Sequence, residues 1–161
     1  MAIRARDVLV CRAQVDDAES ITTLIEDVFT ECVAPDYSRE GRNFFLGLCS
    51  TDKLKETIQN GNLIILVAKH NEEIVGTVWV RDGNHIARFF VKTRHQGNGI
   101  GRKLFTSLVR EVKMKNTGID RITVNSSPFA IAAYEALGFE KTDEEKSGNG
   151  MRYIPMACRL T

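Results

Sequence analysis

Residues 94–103 read RHQGNGIGRK and carry glycines at three alternate positions, Gly97, Gly99 and Gly101. The apolar run IARFFV precedes this stretch, and LFTSLVREVKM follows it with apolar residues at helical spacing. The sequence therefore predicts a strand, a glycine-rich loop and a helix in direct succession. Glycines let the backbone approach a ligand closely, and the first turn of a helix presents free N–H groups and partial positive charge. This combination is typical of a phosphate-binding site.

Two common nucleotide-binding patterns do not fit the loop. A P-loop requires GxxxxGK[ST], but only three residues separate Gly97 from Gly101, and no Ser or Thr follows for magnesium. The dinucleotide pattern GxGxxG would place a third glycine at position 102, which is Arg102. A phosphate ligand other than a P-loop nucleotide or a dinucleotide is therefore favoured.

Composition limits the class of protein. The 161 residues suit one domain, so we expect residues 1–161 to fold as a single unit. A net charge of +1 gives no general attraction to nucleic acid or to a membrane surface, and neither is expected as a partner. No apolar run reaches ~18 residues and MAIRARDVLV lacks a signal-peptide core, which favours a cytoplasmic location. The four cysteines lack zinc-binding spacing, so no metal is expected.

Working outward from the loop, periodicity predicts elements in the order β-α-α-βββ-α-β-α-ββ, with a further short helix from Thr51 to Gln59. The strands LIILVAKH, EIVGTVWV and HIARFFV are joined by short polar turns and predict an antiparallel meander. PFAIAAYEAL predicts a helix with Pro128 in its first turn and Gly138 past its end. GFEKTD and MRYIPMACRL predict a closing hairpin. The fold class is therefore α/β (α+β), a sheet flanked by helices.

Two motifs resemble those of a known family. The stretch from Gln96 to Gly101, QGNGIG, is similar to Q/R-x-x-G-x-G/A, the acyl-CoA pyrophosphate loop of the GNAT superfamily of N-acetyltransferases. The stretch SSPFAIAAYEALGFEKT resembles the second signature of that family, with Ala130, Tyr134, Gly138 and Phe139 at matching spacing. The element order is also similar. The resemblance implies a GNAT-like, mixed and mostly antiparallel sheet, and transfer of an acetyl group from acetyl-CoA to an amine.

The resemblance also implies how acetyl-CoA is held. Backbone N–H groups of the loop would bind the pyrophosphate, assisted by two basic side chains. The pantetheine arm would pair like an extra strand along Val91, where the family splays HIARFFV away from RITVN. Asn125 would bond the pantetheine amide, or would simply be a polar residue at a strand end. The predicted cofactor-binding residues are Phe90, Val91, Gln96, Gly97, Asn98, Gly99, Ile100, Gly101, Arg102, Lys103, Asn125, Ser127, Ala130 and Tyr134; Ser127 is alternatively only the N-cap of the last helix.

Three residues are predicted to take part in the chemistry. By resemblance, the backbone N–H of Phe89 would polarise the acetyl carbonyl, and Tyr134 would protonate the departing thiolate or stabilise it by a hydrogen bond. His85 lies where protein-lysine members of the family carry a general-base glutamate, and an imidazole with pKa ~6.5 could deprotonate an amine. Alternatively, His85 is only a polar residue after the turn, and the base is an acidic residue or water.

The acceptor is least determined by the sequence. Glu31, Asp36 and Glu40 lie in or near the segment between the first helices, which borders the acceptor site in this family, and are predicted to contact the acceptor or to attract a cationic one. A small-molecule amine is expected, with a protein amine as the alternative. A non-catalytic acyl-CoA-binding or regulatory module is another alternative, although it would not need Tyr134. The resemblance also implies a homodimer as one assembly state.

Overall fold

The computed structural model describes residues 3–161, which build a central sheet with helices on both faces. The strands are β1 Leu9–Arg12, β2 Ile64–His70, β3 Glu73–Arg81, β4 His85–Val91, β5 Arg121–Ser126, β6 Glu140–Lys141, β7 Lys146–Gly148 and β8 Met151–Arg159. The helices are α1 Ala18–Val28, α2 Arg39–Leu48, α3 Thr51–Asn60, α4 Ile100–Lys115 and α5 Ile131–Ala136. No helix within these residues is both long and apolar enough to span a membrane.

The sheet is mixed and mostly antiparallel, which confirms the predicted fold class. The strand order is β1-β2-β3-β4-β5-β8-β6, with β7 paired to β8 beside this path. The meander β2-β3-β4 is antiparallel as predicted. The pair β4 and β5 is parallel, and its register has only two matched positions, His85 with Thr123 and Ile86 with Val124. Beyond Ile86 the two strands diverge, and a gap opens in the middle of the sheet.

Two cores lie on opposite faces of the sheet, and the alternation of side chains along β2 shows why. Leu66 joins the core beneath α4, which contains the buried Leu104. Its neighbours Ile65 and Val67 join the other core, together with Ile21 of α1. A strand buried on both faces has no polar face, so LIILVA is a continuous apolar run.

The C-terminal third departs from the prediction in two ways. The helix predicted from Pro128 is a 3-10 turn, Pro128–Ala130, followed by the six-residue α5. The hairpin between β6 and β8 is confirmed, but the polar strand β7 is added to it. Asn149 and Gly150 join β7 to β8 with positive φ angles of 55° and 76°, which suits a tight hairpin turn. With α3 counted, the order is β-α-α-α-βββ-α-β-α-βββ.

The turn between β7 and β8 rests directly on the start of α2. Ser38 caps this helix, because its Oγ accepts a hydrogen bond of 3.1 Å from the N–H of Gly41 and donates one of 3.1 Å to the carbonyl of Gly150. A Cβ on Gly41 would lie 2.1 Å from that carbonyl oxygen. Glycine at position 41 therefore allows the hairpin and the helix to touch.

Candidate active site

Two cavities meet at the gap between β4 and β5. One, of about 460 Å³, is bounded by the end of α1, by α2, by β4 and by the turn between β7 and β8. The other, of about 450 Å³, is bounded by β4, by the glycine loop and by α5. We call the first the aromatic cavity and the second the glycine-lined cavity. Six residues line both of them: Phe89, Val91, Gln96, Phe129, Ala130 and Tyr134.

Backbone groups of β4 are exposed in the gap. The N–H of Lys92 donates to the carbonyl of Val75 at 2.9 Å, and the register pairs Phe90 with Thr77. Hydrogen-bonding direction alternates along an antiparallel strand, so the N–H and C=O groups of Phe89 and Val91 face away from β3 and into the gap. The side-chain amide of Gln96 donates from Nε2 to the carbonyl of Val91 at 3.0 Å. The N–H of Phe89 therefore points to where the two cavities meet.

The glycine loop wraps around the second cavity with an open backbone. Gly97 and Gly99 have φ angles of 79° and 85°, in the left-handed region that favours glycine. A Cβ on Gly97 would meet no atom within 4 Å, and one on Gly101 would lie 3.9 Å from the ring of Phe89. The N–H groups at the start of α4 are left free for an anion.

One polar atom beside this loop lacks a partner. His95 is 4% exposed, and its Nδ1 makes no hydrogen bond within residues 3–161, although its Nε2 is 3.2 Å from Nε of Arg94. Burial lowers the pKa of His95, with a further lowering from Arg94. A buried polar atom without a partner is costly in free energy, so an atom of this kind beside a cavity indicates a ligand or bound water.

The structure divides the predicted loop residues into two groups. Gln96, the three glycines and Arg102 line the glycine-lined cavity. Asn98, Ile100 and Lys103 do not line it, because they hold the loop to the rest of the fold. The carbonyl of Asn98 accepts from the N–H of Ala5 at 3.1 Å, Ile100 is buried in the core, and Nζ of Lys103 donates to the carbonyl of Ala5 at 3.0 Å.

Tyr134 stands between the two cavities. Its ring packs edge-on against Phe89 at 6.0 Å and against Phe139 at 5.2 Å between centroids. The side chain is 8% exposed, and burial raises the pKa of its phenol well above the ordinary value of 10.0. The hydroxyl therefore keeps its proton at neutral pH and is available as a hydrogen-bond donor.

His85 lines the aromatic cavity at the point where β4 leaves β5. Its Nδ1 lies 2.8 Å from Oγ1 of Thr123. Burial lowers the pKa of His85 below 6.5, and the charge of Arg81 lowers it further. The imidazole is consequently neutral at pH 7 and able to accept a proton.

Only some of the remaining predicted residues line a cavity. Phe90, Asn125, Ser127 and Ala130 line the aromatic cavity, and Ala130 lines the other one too. The side chain of Ser127 makes no capping hydrogen bond to the turn that follows it. Glu31, Asp36 and Glu40 line neither cavity, and Glu31 and Glu40 are exposed to solvent. The carboxylates that were expected to contact the acceptor are therefore not brought to either cavity.

Sequence analysis missed most of the aromatic cavity. Its wall contains Phe29 and Phe45, stacked at 4.0 Å between ring centroids, with Tyr37 5.6 Å from Phe29. Arg88 lies beside them, with its guanidinium carbon 4.9 Å from the centre of the Phe45 ring. The sequence held one indication that Arg88 has a functional role, namely its position as a charged residue within the apolar strand HIARFFV. Within residues 3–161, no group of three or more His, Cys, Asp or Glu side chains is placed to hold a metal ion.

Comparison with solved structures shows a shared fold. The PaiA N-acetyltransferase of Thermoplasma acidophilum, solved in complex with coenzyme A, matches with a TM-score of 0.80 at 18% identity, over 95% of this chain and 99% of that chain. A GCN5-related N-acetyltransferase of Rhodopseudomonas palustris matches with a TM-score of 0.81 at 19% identity, over 99% and 98%. An aminoglycoside 6'-N-acetyltransferase complexed with coenzyme A matches with a TM-score of 0.64 at 15% identity, over 94% and 96%.

A family model agrees with this likeness. Residues 33–160 match the model described as the acetyltransferase (GNAT) domain. The match includes the glycine loop, the gap between β4 and β5, and Tyr134, so the resemblance inferred from the two sequence motifs is confirmed. Because the matched region is most of the chain, the protein belongs to the GNAT family of N-acetyltransferases, which take the acetyl group from acetyl-CoA.

Proposed function

We propose that the protein transfers the acetyl group of acetyl-CoA to a primary amine of a small molecule, by direct attack while both substrates are bound. The observation that carries this proposal is the pair of cavities that meet at Phe89 and Tyr134 in the gap between β4 and β5. Each cavity offers a place for one substrate, and reacting groups held side by side avoid much of the entropic cost of a bimolecular encounter.

The glycine-lined cavity suits the donor. Acetyl-CoA supplies an activated acetyl thioester on a long arm that ends in a pyrophosphate. The open backbone of Gly97 and Gly99, the start of α4 and the side chain of Arg102 suit the pyrophosphate. The backbone N–H of Val91 faces the gap and suits a carbonyl of the pantetheine arm, whereas the Val91 carbonyl already accepts from the Gln96 side chain. The buried Nδ1 of His95, which has no partner within residues 3–161, is consistent with a polar ligand in this cavity.

Phe89 and Tyr134 are proposed to act on the thioester. The N–H of Phe89 faces the gap and would donate a hydrogen bond to the acetyl carbonyl oxygen as negative charge develops there. One such donor typically stabilises a transition state by ~3 kcal/mol. The Tyr134 hydroxyl is protonated at neutral pH, as any ordinary phenol is, and burial raises its pKa further. It would donate a hydrogen bond to the departing sulfur.

His85 is proposed to remove the proton of the amine. An alkyl amine with a pKa of ~10.4 is neutral only about once in 2,500 at pH 7, so a base must help. Burial keeps His85 neutral at this pH. If Nδ1 donates its proton to Thr123, the lone pair is on Nε2, where it can accept a proton directly or through water.

The aromatic cavity is proposed to take the acceptor. Its volume of about 460 Å³ lies in the range of cavities that bind small molecules, ~300–1,000 Å³. Its walls come from α1, α2, β4 and the turn between β7 and β8, so they surround a ligand on several sides. This shape favours a small molecule over the side chain of a folded protein.

Two measurements test the proposal. Thermal unfolding should show stabilisation by acetyl-CoA and CoA but not by ATP or NAD, because ligand at 100 times its dissociation constant adds ~2.7 kcal/mol. Thiol release during an amine screen should then identify an acceptor, and initial velocities with both substrates varied should give intersecting lines.

The outcomes separate the alternatives. No stabilisation by acetyl-CoA would contradict the proposal as a whole. Stabilisation without acetylation of small or protein amines would favour a non-catalytic acyl-CoA-binding module. Parallel velocity lines would instead indicate an acetylated enzyme intermediate, and acetylation of protein amines alone would contradict the small-molecule acceptor.

A further inference from the structure

Three basic side chains line the aromatic cavity. They are Arg81, His85 and Arg88, and no Asp or Glu of residues 3–161 lines it. The sequence suggested three carboxylates for this region, but none of them lines the cavity: Glu31, Asp36 and Glu40. A cationic acceptor would therefore enter a cavity without an anionic partner.

Arg88 is the central cation of this cavity. Its guanidinium carbon lies 4.9 Å from the centre of the Phe45 ring and 5.8 Å from that of Trp79, so the two aromatic side chains hold it in place. One N–H donates to the neighbouring carbonyl of Ala87 at 2.8 Å. A guanidinium has five N–H donors, and one hydrogen bond leaves most of them free.

The charge of Arg88 is not compensated by the protein. Arg88 is partly buried and forms no ion pair with a carboxylate of residues 3–161. The groups that interact with Arg88 and could become negative are Tyr37 and Cys49. Burial raises the pKa of both groups, so they are neutral at pH 7 and leave Arg88 without a counter-charge. Keeping a partly desolvated charge unpaired costs free energy, which a bound anion would offset.

The other two basic residues add little positive charge. Arg81 is exposed and already pairs with Asp82. His85 is neutral at pH 7, since burial lowers its pKa. One uncompensated positive charge matches one carboxylate, whereas a phosphate monoester brings about −1.5 to −2 at pH 7. The planar fork of a guanidinium also suits the two oxygens of a carboxylate.

We propose that the acceptor is a primary amine that also carries a carboxylate, and that Arg88 binds this carboxylate. The stacked rings of Phe29 and Phe45, with Tyr37 beside them, suit an apolar or aromatic body between the two polar groups. The acceptor class is thus that of amino acids and other amino carboxylates, rather than of polyamines or aminoglycosides. This inference rests on the proposed function, because it concerns the second substrate of the same site.

The first experiment uses pairs of acceptors with the unmodified protein. L-phenylalanine, 4-(aminomethyl)benzoate and 6-aminohexanoate are each compared with the corresponding carboxamide at saturating acetyl-CoA. The best acceptor should be a carboxylate, with kcat/KM above that of its carboxamide by about tenfold or more, a ratio equivalent to 1.4 kcal/mol. The amine next to a carboxamide is the more easily deprotonated, so this bias works against the expected result. Equal or better turnover of carboxamides, of spermidine or of phosphoethanolamine would overturn the inference.

A binding measurement covers the case in which none of these amines is acetylated. Thermal unfolding with CoA bound should show stabilisation by phenylacetate and none by phenylacetamide. Equal effects of the two, or no effect of either, would overturn the inference. Stabilisation by acetyl-CoA is recorded in the same experiment, so a failure of the proposed function is distinguished from a failure of this inference alone.

Three variants then assign the preference to Arg88. Arg88→Gln should reduce the carboxylate-to-carboxamide ratio to near one, with the response to acetyl-CoA unchanged, and Arg88→Lys should retain part of the ratio. Arg12→Gln is the matched control, because Arg12 is exposed on β1, pairs with Glu111 and lines neither cavity. A ratio that is the same in Arg88→Gln as in Arg12→Gln would overturn the assignment. If Arg88→Gln does not fold, Arg88→Lys and the acceptor pairs remain decisive.

Discussion

Nδ1 of His85 lies 2.8 Å from Oγ1 of Thr123, and the same two residues form the first of the two backbone pairs that join β4 to β5. The side-chain bond therefore lies at the head of the gap, where the strands are still in register. It fixes the plane of the imidazole, and with Nδ1 as donor it leaves the lone pair of Nε2 for a substrate. A parallel pair of only two positions thus both leaves the gap open at the candidate active site and orients the proposed base.

His85→Gln should change the pH dependence of acetylation. If His85 is the base, its neutral form takes the proton of a protonated amine above the lowered pKa, so kcat/KM of the wild-type protein should already be level at pH 7. Without the base, only the fraction of amine that is already neutral reacts. The kcat/KM of the variant should then rise about tenfold per pH unit toward the amine pKa of ~10.4, so that the deficit is largest near pH 7.

Thr123→Val is the companion variant for this profile. It removes the hydroxyl that orients the imidazole but leaves the imidazole itself. We therefore expect kcat/KM to fall less than in His85→Gln, again with the largest decrease near pH 7. Profiles of kcat/KM between pH 6 and 10 provide the measurement. If the His85→Gln profile runs parallel to that of wild type, the base is water or another residue.

Gly101→Asp should abolish acetyl-CoA binding without unfolding the protein. Gly101 has an ordinary helical backbone, and a Cβ there would make only ordinary contacts of 3.9 Å with Phe89 and Val91. The new carboxylate would enter the glycine-lined cavity and repel the pyrophosphate. Gly99→Asp is a less clean test, because its φ of 85° makes any side chain there strained.

Gly47→Asp is the matched control for the loop variant. Gly47 lies on α2 and lines neither cavity, and a Cβ at this position would meet no atom within 4 Å. Stabilisation by acetyl-CoA in thermal unfolding should persist in this variant and disappear in Gly101→Asp. Equal stabilisation in both would mean that the loop does not hold the phosphates.

Gly41→Ala and Gly47→Ala should change stability in opposite directions, although both lie on α2. A Cβ on Gly41 would lie 2.1 Å from the carbonyl oxygen of Gly150, and overpacking of this kind typically costs ~1–3 kcal/mol. A Cβ on Gly47 meets nothing within 4 Å, so the better helix propensity of alanine should add up to about 1 kcal/mol. Urea unfolding measures both changes. Similar changes in the two variants would contradict the close contact between α2 and the hairpin turn.

The parts of the fold that sequence analysis predicted depend on local signals. The meander follows from alternating apolar strands and short polar turns, and the loop follows from its glycines between a strand and a helix. Strand β7 was missed because Lys146, Ser147 and Gly148 are polar and exposed and show no hydrophobic alternation. The Asn149-Gly150 pair, a strong hairpin signal, was the available evidence for it.

The aromatic cavity could not be predicted in the same way. Phe45 on α2, Arg88 on β4 and Tyr153 on β8 line it together, although they are far apart in sequence. No periodicity within a single element reports such a contact, because it depends on how the elements pack. The acidic residues near α2 were predicted acceptor ligands by position in the chain. The packed structure instead places Phe45 of α2 in the cavity wall and leaves Glu40 in solvent.

Tyr134→Phe tests the proposed proton donor directly. The substitution removes one hydroxyl and keeps the ring that packs against Phe89 and Phe139, so folding should change little. The departing sulfur carries negative charge in the transition state that the bound thioester lacks. A hydrogen bond from Tyr134 would therefore stabilise the transition state selectively, and its loss should lower kcat more than it lowers the affinity for acetyl-CoA.

The expected decrease in kcat follows from the acidities of the CoA thiol and the Tyr134 phenol. General acids typically contribute ~10²–10⁴-fold to a rate. A thiol of pKa ~8.5 is already a fair leaving group, and burial raises the pKa of Tyr134 further above that value, so complete proton transfer to the sulfur is unfavourable. Hydrogen bonding should dominate, and we expect kcat to fall by about tenfold or somewhat more, with acetyl-CoA affinity within about threefold. Single-turnover rates and acetyl-CoA titrations supply both numbers. Full activity in Tyr134→Phe would make Tyr134 a packing residue and leave protonation of the thiolate to solvent.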